Sequence, residues 1–350
     1  MRAFSRPFTG IIALVLFLAF SLAACGTSSA SSKGPVTVNL GYFPNITHAI
    51  ALVGVQRGTF QQAIGPNKLT THVFNAGPDE IQALLSGNID IAYVGPNPAI
   101  NGYVRSNGSA LKIIAGASSG GALFIVRPGA HITSPADLNG KKIADPQQGG
   151  TQDISLRHYL QQHNLKTTQQ GGTVNILPMD NATILNEFKA GQIDGAWVPE
   201  PYASRLIIED HGTVFVDERN LWPNKQFTTT DLIVRTAFLN AHPDIVKELL
   251  QAHVETAQYI NNNLSSAITI VNNQLKALTQ KSYSTQILDS AFHNLSITYD
   301  PLVSTLYEQA NDEYTLGFLG SSKPDVTNIV DLDPLNSVLA SKGLPKITTS

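Results

Sequence analysis

The hydrophobic positions change period along the chain, and each change marks an element. "VTVNLGY" (36–42) alternates every second residue and predicts a strand bounded by Gly41, whereas "ITHAIALVGVQRG" (46–58) has helical spacing and a glycine stop at Gly58. "THVFNA" (71–76) predicts a second strand. "PDEIQALLSG" (78–87) predicts a helix, with Pro78 and acidic residues at its start and Gly87 at its end. Strands follow at "IDIAYV" (89–94) and "LKIIAGA" (111–117), separated by a short helix at "PAINGYVRS" (98–106), and "GALFIVR" (121–127) predicts another strand.

A second run of the same kind begins near 134. "SPADLNG" (134–140) predicts a short helix capped by Ser134, and "KKIAD" (141–145) a strand. "GGTQDISLRHYLQQHNL" (149–165) reads as a glycine turn opening a long helix. "VNILPM", "NATILNEFKAG", "IDGAWV" and "EPYASRLIIEDHG" continue the alternation, and "TTTDLIVR" (228–235) predicts a strand. Everything after about 236 reads as helix, most clearly "PDIVKELLQAHVETAQYINNN" (243–263). Such alternation predicts an α/β fold of parallel sheets flanked by helices. Two lobes are expected: 36–126 with 229–350, and 127–228.

One stretch occurs twice. "GNIDIAYVGPNPA" (87–99) and "GQIDGAWVPEPYA" (191–203) agree at six of thirteen positions with an offset of 104. Ligands of open α/β sheets bind outside the carboxyl ends of strands. Two sheets facing across a cleft would each supply such a corner, and the prolines would preshape both. Tyr93 and Trp197 match and are either aromatic walls of the cleft or core residues.

Composition narrows the function. The chain has 350 residues, 42% hydrophobic, enough for two lobes of ordinary size. A net charge of −3 with only 14% charged residues disfavours nucleic acid as partner. Arg2 and Arg6 precede the apolar run "IIALVLFLAFSLAA", too short for a comfortable span, so residues 1–24 are expected to be a secretory signal. The only cysteine, Cys25, follows Leu22-Ala23-Ala24, which resembles the bacterial lipoprotein cleavage motif and implies lipidation of Cys25. Residues 25–35, including "GTSSASSKG", are expected to tether the lobes to the outer face of the membrane. No His-x-x-x-His with a third ligand, no Gly-x-Ser-x-Gly and no phosphate loop occurs, so no metal, cofactor or catalytic residue is expected.

"LGYFPNITHAIALVGVQRG", "GPDEIQALLSGNIDIAYVGPNPA", "QQGGTQDISLRHYL", "AGQIDGAWVPEPYASRL" and "TTTDLIVRTAFLNAHPDIV" together resemble the solute-binding proteins of ATP-driven (ABC) importers. The branch they are most similar to binds aliphatic sulfonates, taurine or nitrate. The resemblance runs from about 36 to 260. It implies a type 2 periplasmic-binding-protein fold with the ligand cleft between two lobes. It also implies a lipid-anchored monomer that closes on a small organic anion or zwitterion and delivers it to permease subunits with a cytoplasmic ATPase. Nitrate, bicarbonate and thiamine-precursor pyrimidines are alternative solutes, and a ligand-sensing receptor is an alternative role. The pyrimidine-synthase enzyme of the same superfamily depends on a cysteine-rich motif, which a chain with one cysteine does not supply.

Carried onto this chain, the resemblance implies ligand contacts at Asn45, Thr47 and His48; at Gly95, Pro96 and Asn97; at Gly149, Gly150 and Thr151; and at Trp197 and Glu200. Thr47, His48 and Thr151 open helices, whose free amides and dipole suit an anion; simple N-capping is the other role open to the two threonines. Ser118 and Gly121 lie in a turn that could add donors. Glu200, if turned inward, would welcome an ammonium. Asp153 and Arg157, four residues apart, are expected to pair on the helix surface.

Overall fold

The alternation of strand and helix builds two sheets. The computed structural model describes Met1, Ala3 and residues 34–349. The signal segment, Cys25 and nearly all of the tether lie outside the described residues. Strands β1 (Thr37–Tyr42), β2 (Lys68–Val73), β3 (Ile91–Val94) and β4 (Leu111–Gly120) come first. The chain then crosses over and forms β5 (Ala122–Val126), β6 (Lys142–Asp145), β7 (Asn175–Pro178), β8 (Gly195–Pro199) and β9 (Thr213–Asp217). It returns as β10 (Thr228–Arg235) and adds β11 (Leu295–Ile297).

The first sheet has the order β11-β4-β10-β3-β1-β2 and the second β7-β6-β8-β5-β9. β1 runs parallel to β2 and β3, and β6 runs parallel to β7 and β8. The two crossing strands run antiparallel to their neighbours, β10 against β3 and β4, and β5 against β8 and β9, and β11 is antiparallel to β4 at the edge of the first sheet. Each sheet therefore keeps a parallel heart covered by helices and admits a reversed strand where the chain changes lobe.

Three expectations need correction. The strand at 121–127 belongs to the second sheet, so the crossing lies at Gly120–Gly121 and not near 126. Both glycines have positive φ, 75° and 78°, which lets the chain turn there without side-chain strain. Alternation cannot assign β5 to a sheet, because all five of its residues are buried. The strand Thr213–Asp217 is an added edge of the second sheet. Finally, the helical tail is interrupted by β11, whose three residues are too few to show a period.

One core cluster of the first lobe is built on Ala92, Val94, Leu111 and Ile113, with Leu306 and Ala310 from the late helix Val303–Thr315. The second lobe has one apolar cluster on each face of its sheet. One holds Phe124, Tyr159, Trp197 and Phe227, and the other Ile125, Ile184, Phe188 and Val198. Among the described residues no helix is long and apolar enough to cross a membrane.

Candidate functional site

Every strand that runs parallel in either sheet ends on one side, and its following loop opens a helix there. The loop after β1 brings Asn45, Thr47 and His48; that after β2 brings Asn75–Gly77; that after β3 brings Gly95 and Pro98. From the second lobe come Gln147, Gly150 and Thr151 after β6, Asn181 after β7 and Pro199 at the end of β8. Thr229 and Thr230 start the reversed strand β10 and so reach the same place. Together they enclose a cleft with about 460 Å³ of empty space.

Two properties of this cleft decide its chemistry. First, among the described residues no Asp, Glu, Lys or Arg lines it. Second, helical segments beginning after Asn45, Ala76, Gly95 and Gly150 have no side-chain cap on their first amides. The segment after Asp180 differs, since Asp180 Oδ1 accepts from the amides of Ala182 and Thr183, both at 3.0 Å. Three uncapped starts come from the first lobe and one from the second. Ile46 N–H is spent on the Glu200 carbonyl at 3.1 Å and His48 N–H on the Asn45 carbonyl at 3.2 Å, and Pro78, Pro96 and Pro98 carry no N–H. The other first-turn amides have no intrahelical acceptor and the dipoles add a positive potential, so these amides offer donors to an oxygen-rich group.

Local bonds hold the donors in place. Phe43 N–H donates to His48 Nδ1 at 3.2 Å, which leaves the imidazole proton on Nε2, and the Phe43 ring stacks on His48 at 4.4 Å. Burial lowers the His48 pKa to about 3, so the ring is a neutral donor. Thr47 Oγ1 donates to Asn45 Oδ1 at 2.7 Å. Neither Thr47 nor Thr151 caps its helix. Gln147 Oε1, Asn181 Oδ1 and Thr230 Oγ1 are buried without a protein partner. The lobes touch here, because a Cβ added at Gly95 would collide with the Thr151 hydroxyl.

The expected ligand residues divide. Asn45, Thr47, His48, Gly95, Gly150 and Thr151 line the cleft. Pro96, Asn97, Ser118, Gly121, Gly149, Trp197 and Glu200 do not. Trp197 is fully buried in the second lobe's core, where Nε1 donates to Glu218 Oε2 at 2.7 Å and the ring stacks on Phe124. Tyr93 is likewise a core residue, its hydroxyl 2.8 Å from His253 Nδ1. β8 is flanked on both sides in its sheet, so only its last residue, Pro199, emerges at the cleft. The Asn97 amide instead donates to Glu313 Oε2 at 3.1 Å.

Glu200 is buried in a bridge between the lobes. Its Oε1 accepts from Asn294 Nδ2 at 2.7 Å and Ser204 Oγ at 2.9 Å, and its Oε2 from Ser204 N–H at 3.0 Å. That network turns its oxygens toward Asn294 and Ser204, and Glu200 does not line the cleft. Gly121 packs against Leu295 and Thr47 at the crossing, and Ser118 is buried in β4. Gly149 spends its N–H on Asp153 Oδ2 at 2.8 Å. The Asp153–Arg157 pair forms at 2.6 Å but is buried, not on the surface, because the glycine loop and the Phe318 ring cover it. It therefore shapes the loop that presents Gly150 and Thr151.

The residues the sequence reading missed obey its own rule. Asn75–Gly77, Gln147 and Asn181 each follow a parallel strand's carboxyl end. Thr229 and Thr230 were hidden because β10 runs the other way.

Just outside the cleft, burial raises the Glu313 pKa to about 8, although Asn97 and Asn101 donate to it. In the unfolded chain the same carboxyl releases its proton near its ordinary value, so the folded form holds more protons in between. The resulting stabilisation is complete below that ordinary value and is lost as pH rises through about 8. Raising pH from 6.5 to 8 is thus expected to cost the wild type about 1–2 kcal/mol more than Glu313→Gln. Denaturant titrations at both pH values check this.

Comparison with known proteins agrees with the architecture. The model of the NMT1-like family matches residues 31–271. A protein of Brucella abortus named only as a binding protein is 28% identical over 264 residues, covering 74% of this chain and 78% of its own. The taurine-binding periplasmic protein of Escherichia coli is 28% identical over 191 residues, covering 54% of this chain and 57% of its own. Among solved structures, the alkanesulfonate-binding protein of Xanthomonas axonopodis pv. citri bound to MOPS superposes with a TM-score of 0.71. It is 18% identical and covers 85% of this chain and 99% of its own. The periplasmic nitrate-binding protein of Synechocystis PCC 6803 gives a TM-score of 0.70 at 16% identity, covering 89% and 90%. At these identities the two superpositions show a shared two-lobe fold.

Proposed function

The chain belongs to the NMT1-like family, and from that premise we propose that it is the solute-binding protein of an ABC importer. The solute is a small organic anion or zwitterion, foremost an aliphatic sulfonate or taurine. It enters between the lobes, the lobes close on it, and the closed form delivers it to the permease. Cys25 carries the lipid that holds the protein at the outer face of the membrane.

One observation carries the reading: uncapped helix starts from both lobes open on a single cleft without a charged side chain. A sulfonate presents three oxygens to such neutral donors and needs no Arg or Lys. Closure follows because only the closed form lets both lobes reach the same group, so the solute binds that form more tightly. The unpartnered Asn181 Oδ1 adds a preference. A buried acceptor left without a donor is costly, and the taurine ammonium supplies one where nitrate does not.

The test is a thermal-shift screen of the purified full chain against taurine, alkanesulfonates, nitrate, bicarbonate and pyrimidine precursors. A solute at about 100 times its dissociation constant adds roughly 2.7 kcal/mol to the folded state. Selective stabilisation by sulfonates, largest with taurine, is the expected result. Stabilisation by nitrate, bicarbonate or a pyrimidine alone would keep the trap and overturn the sulfonate assignment.

A further inference from the structure

A second cleft opens between the lobes, with about 460 Å³ of space counted out to open solvent, lined by different residues from the first. One wall is the helix Thr151–Gln162 with the segment Glu218–Trp222 of the second lobe. The other is the helix Val303–Thr315 with Asn97 of the first. Its polar lining is one-sided. Glu218, Glu308 and Asp312 bring carboxyls from both lobes, and no Lys or Arg of the described residues lines it.

The neutral side chains reinforce that bias. Asn97 and Gln309 are 1% and 4% exposed and both line the cavity. Asn97 Nδ2 donates to the Gln309 carbonyl at 3.4 Å, and Gln309 Nε2 to the Thr228 carbonyl at 3.0 Å. Carbonyl partners settle which end of each amide is nitrogen. The two amide oxygens remain, and neither has a protein partner among the described residues. Ser155 Oγ donates to Glu218 Oε1 at 2.7 Å, Trp197 Nε1 donates to Glu218 Oε2 at 2.7 Å, and Gln162 Nε2 lies 2.6 Å from His158 Nε2. His158 Nδ1 faces Asp312 Oδ1 at 3.4 Å. Trp222 supplies an aromatic ring to the same wall.

Acceptors from both lobes, an aromatic ring and no Lys or Arg of the described residues in the lining favour an occupant that donates and carries positive charge. We propose that this cavity binds a small organic ammonium ion, held between Glu218 and Asp312 with the amide oxygens of Asn97 and Gln309. A metal ion fits less well, because no group of three His, Cys, Asp or Glu among the described residues is placed to hold one. The occupant touches both lobes and therefore favours the closed form. The proposal does not depend on which solute fills the first cleft.

The probes are methylammonium and tetramethylammonium chloride, titrated into the solute-free full chain at pH 8 by calorimetry and thermal shift, against sodium chloride of equal ionic strength. At that pH Glu218, raised by burial to about 7, and Asp312, raised to about 6, are ionised. Saturable binding of at least one ammonium probe is expected. Asp312→Asn and Glu308→Gln should each weaken it about tenfold. Glu308 is exposed, so its variant keeps the test open if Asp312→Asn folds poorly. Absence of saturable binding by both probes would overturn the proposal. So would binding that Glu308→Gln and Asp312→Asn leave unchanged, or a response to magnesium chloride alone.

Discussion

Gly95→Ala is expected to lower solute affinity about 5- to 150-fold while leaving the melting temperature of the solute-free chain unchanged. Gly95 has φ −67° and ψ 154°, ordinary extended backbone that alanine adopts freely. The first lobe therefore loses nothing. The new methyl meets its obstacle across the cleft, at Thr151 Oγ1, with Thr151 Cβ only 3.3 Å away. Rotation offers little relief, since a helical threonine is stiff at χ1 and a turn brings its methyl round instead. Overpacking of this size costs about 1–3 kcal/mol, and only the closed form bears it. The penalty is thus a loss of closure, read by calorimetry with the solute identified in the screen. A double-mutant cycle isolates the contact: in a Thr151→Ala background, Gly95→Ala should cost much less. An equal loss in both backgrounds, or a lower melting temperature without solute, would mean that the methyl acts elsewhere.

The same glycine shows what was legible before the fold was known. A strand-to-loop corner repeated at an offset of 104 is a backbone signal, and it put Gly95 and Pro199 at the rim of one cleft. A repeat of backbone does not say which way a side chain turns. Asn97 sits in the right corner and donates to Glu313, and Trp197 sits two residues before the other corner and points into the core. The missing facts are long-range: Glu313 is 216 residues from Asn97 in sequence, and Glu218 arrives at Trp197 from beyond β9. Helix starts were read well, because glycine, proline and uncapped first turns are local features. The neutrality of the cleft was not. It depends on Glu200 being drawn aside by Asn294, 94 residues further along, and on Asp153 being buried with Arg157.

Trp197→Ala tests which of these two kinds of information governs the second corner, and it carries the largest expected cost in the molecule. The side chain is fully buried among Phe124 at 5.4 Å and Tyr159 at 5.7 Å between ring centres. Truncation to alanine in such a site costs about 3–5 kcal/mol, which in a protein of this size lowers the melting temperature by roughly 5–8 °C. Part of that cost belongs to Glu218, which loses the indole donor at 2.7 Å and keeps Ser155 on its other oxygen. Trp197→Phe helps to separate the contributions, since it keeps an aromatic six-membered ring and removes the N–H with the rest of the five-membered ring. Its expected cost is about 1–3 kcal/mol. Solute affinity at a temperature where the variants remain folded should change far less than stability, because the ring does not line the cleft. A Trp197→Ala protein that melts like wild type and fails to bind solute would return the indole to the cleft wall and remove it from the core.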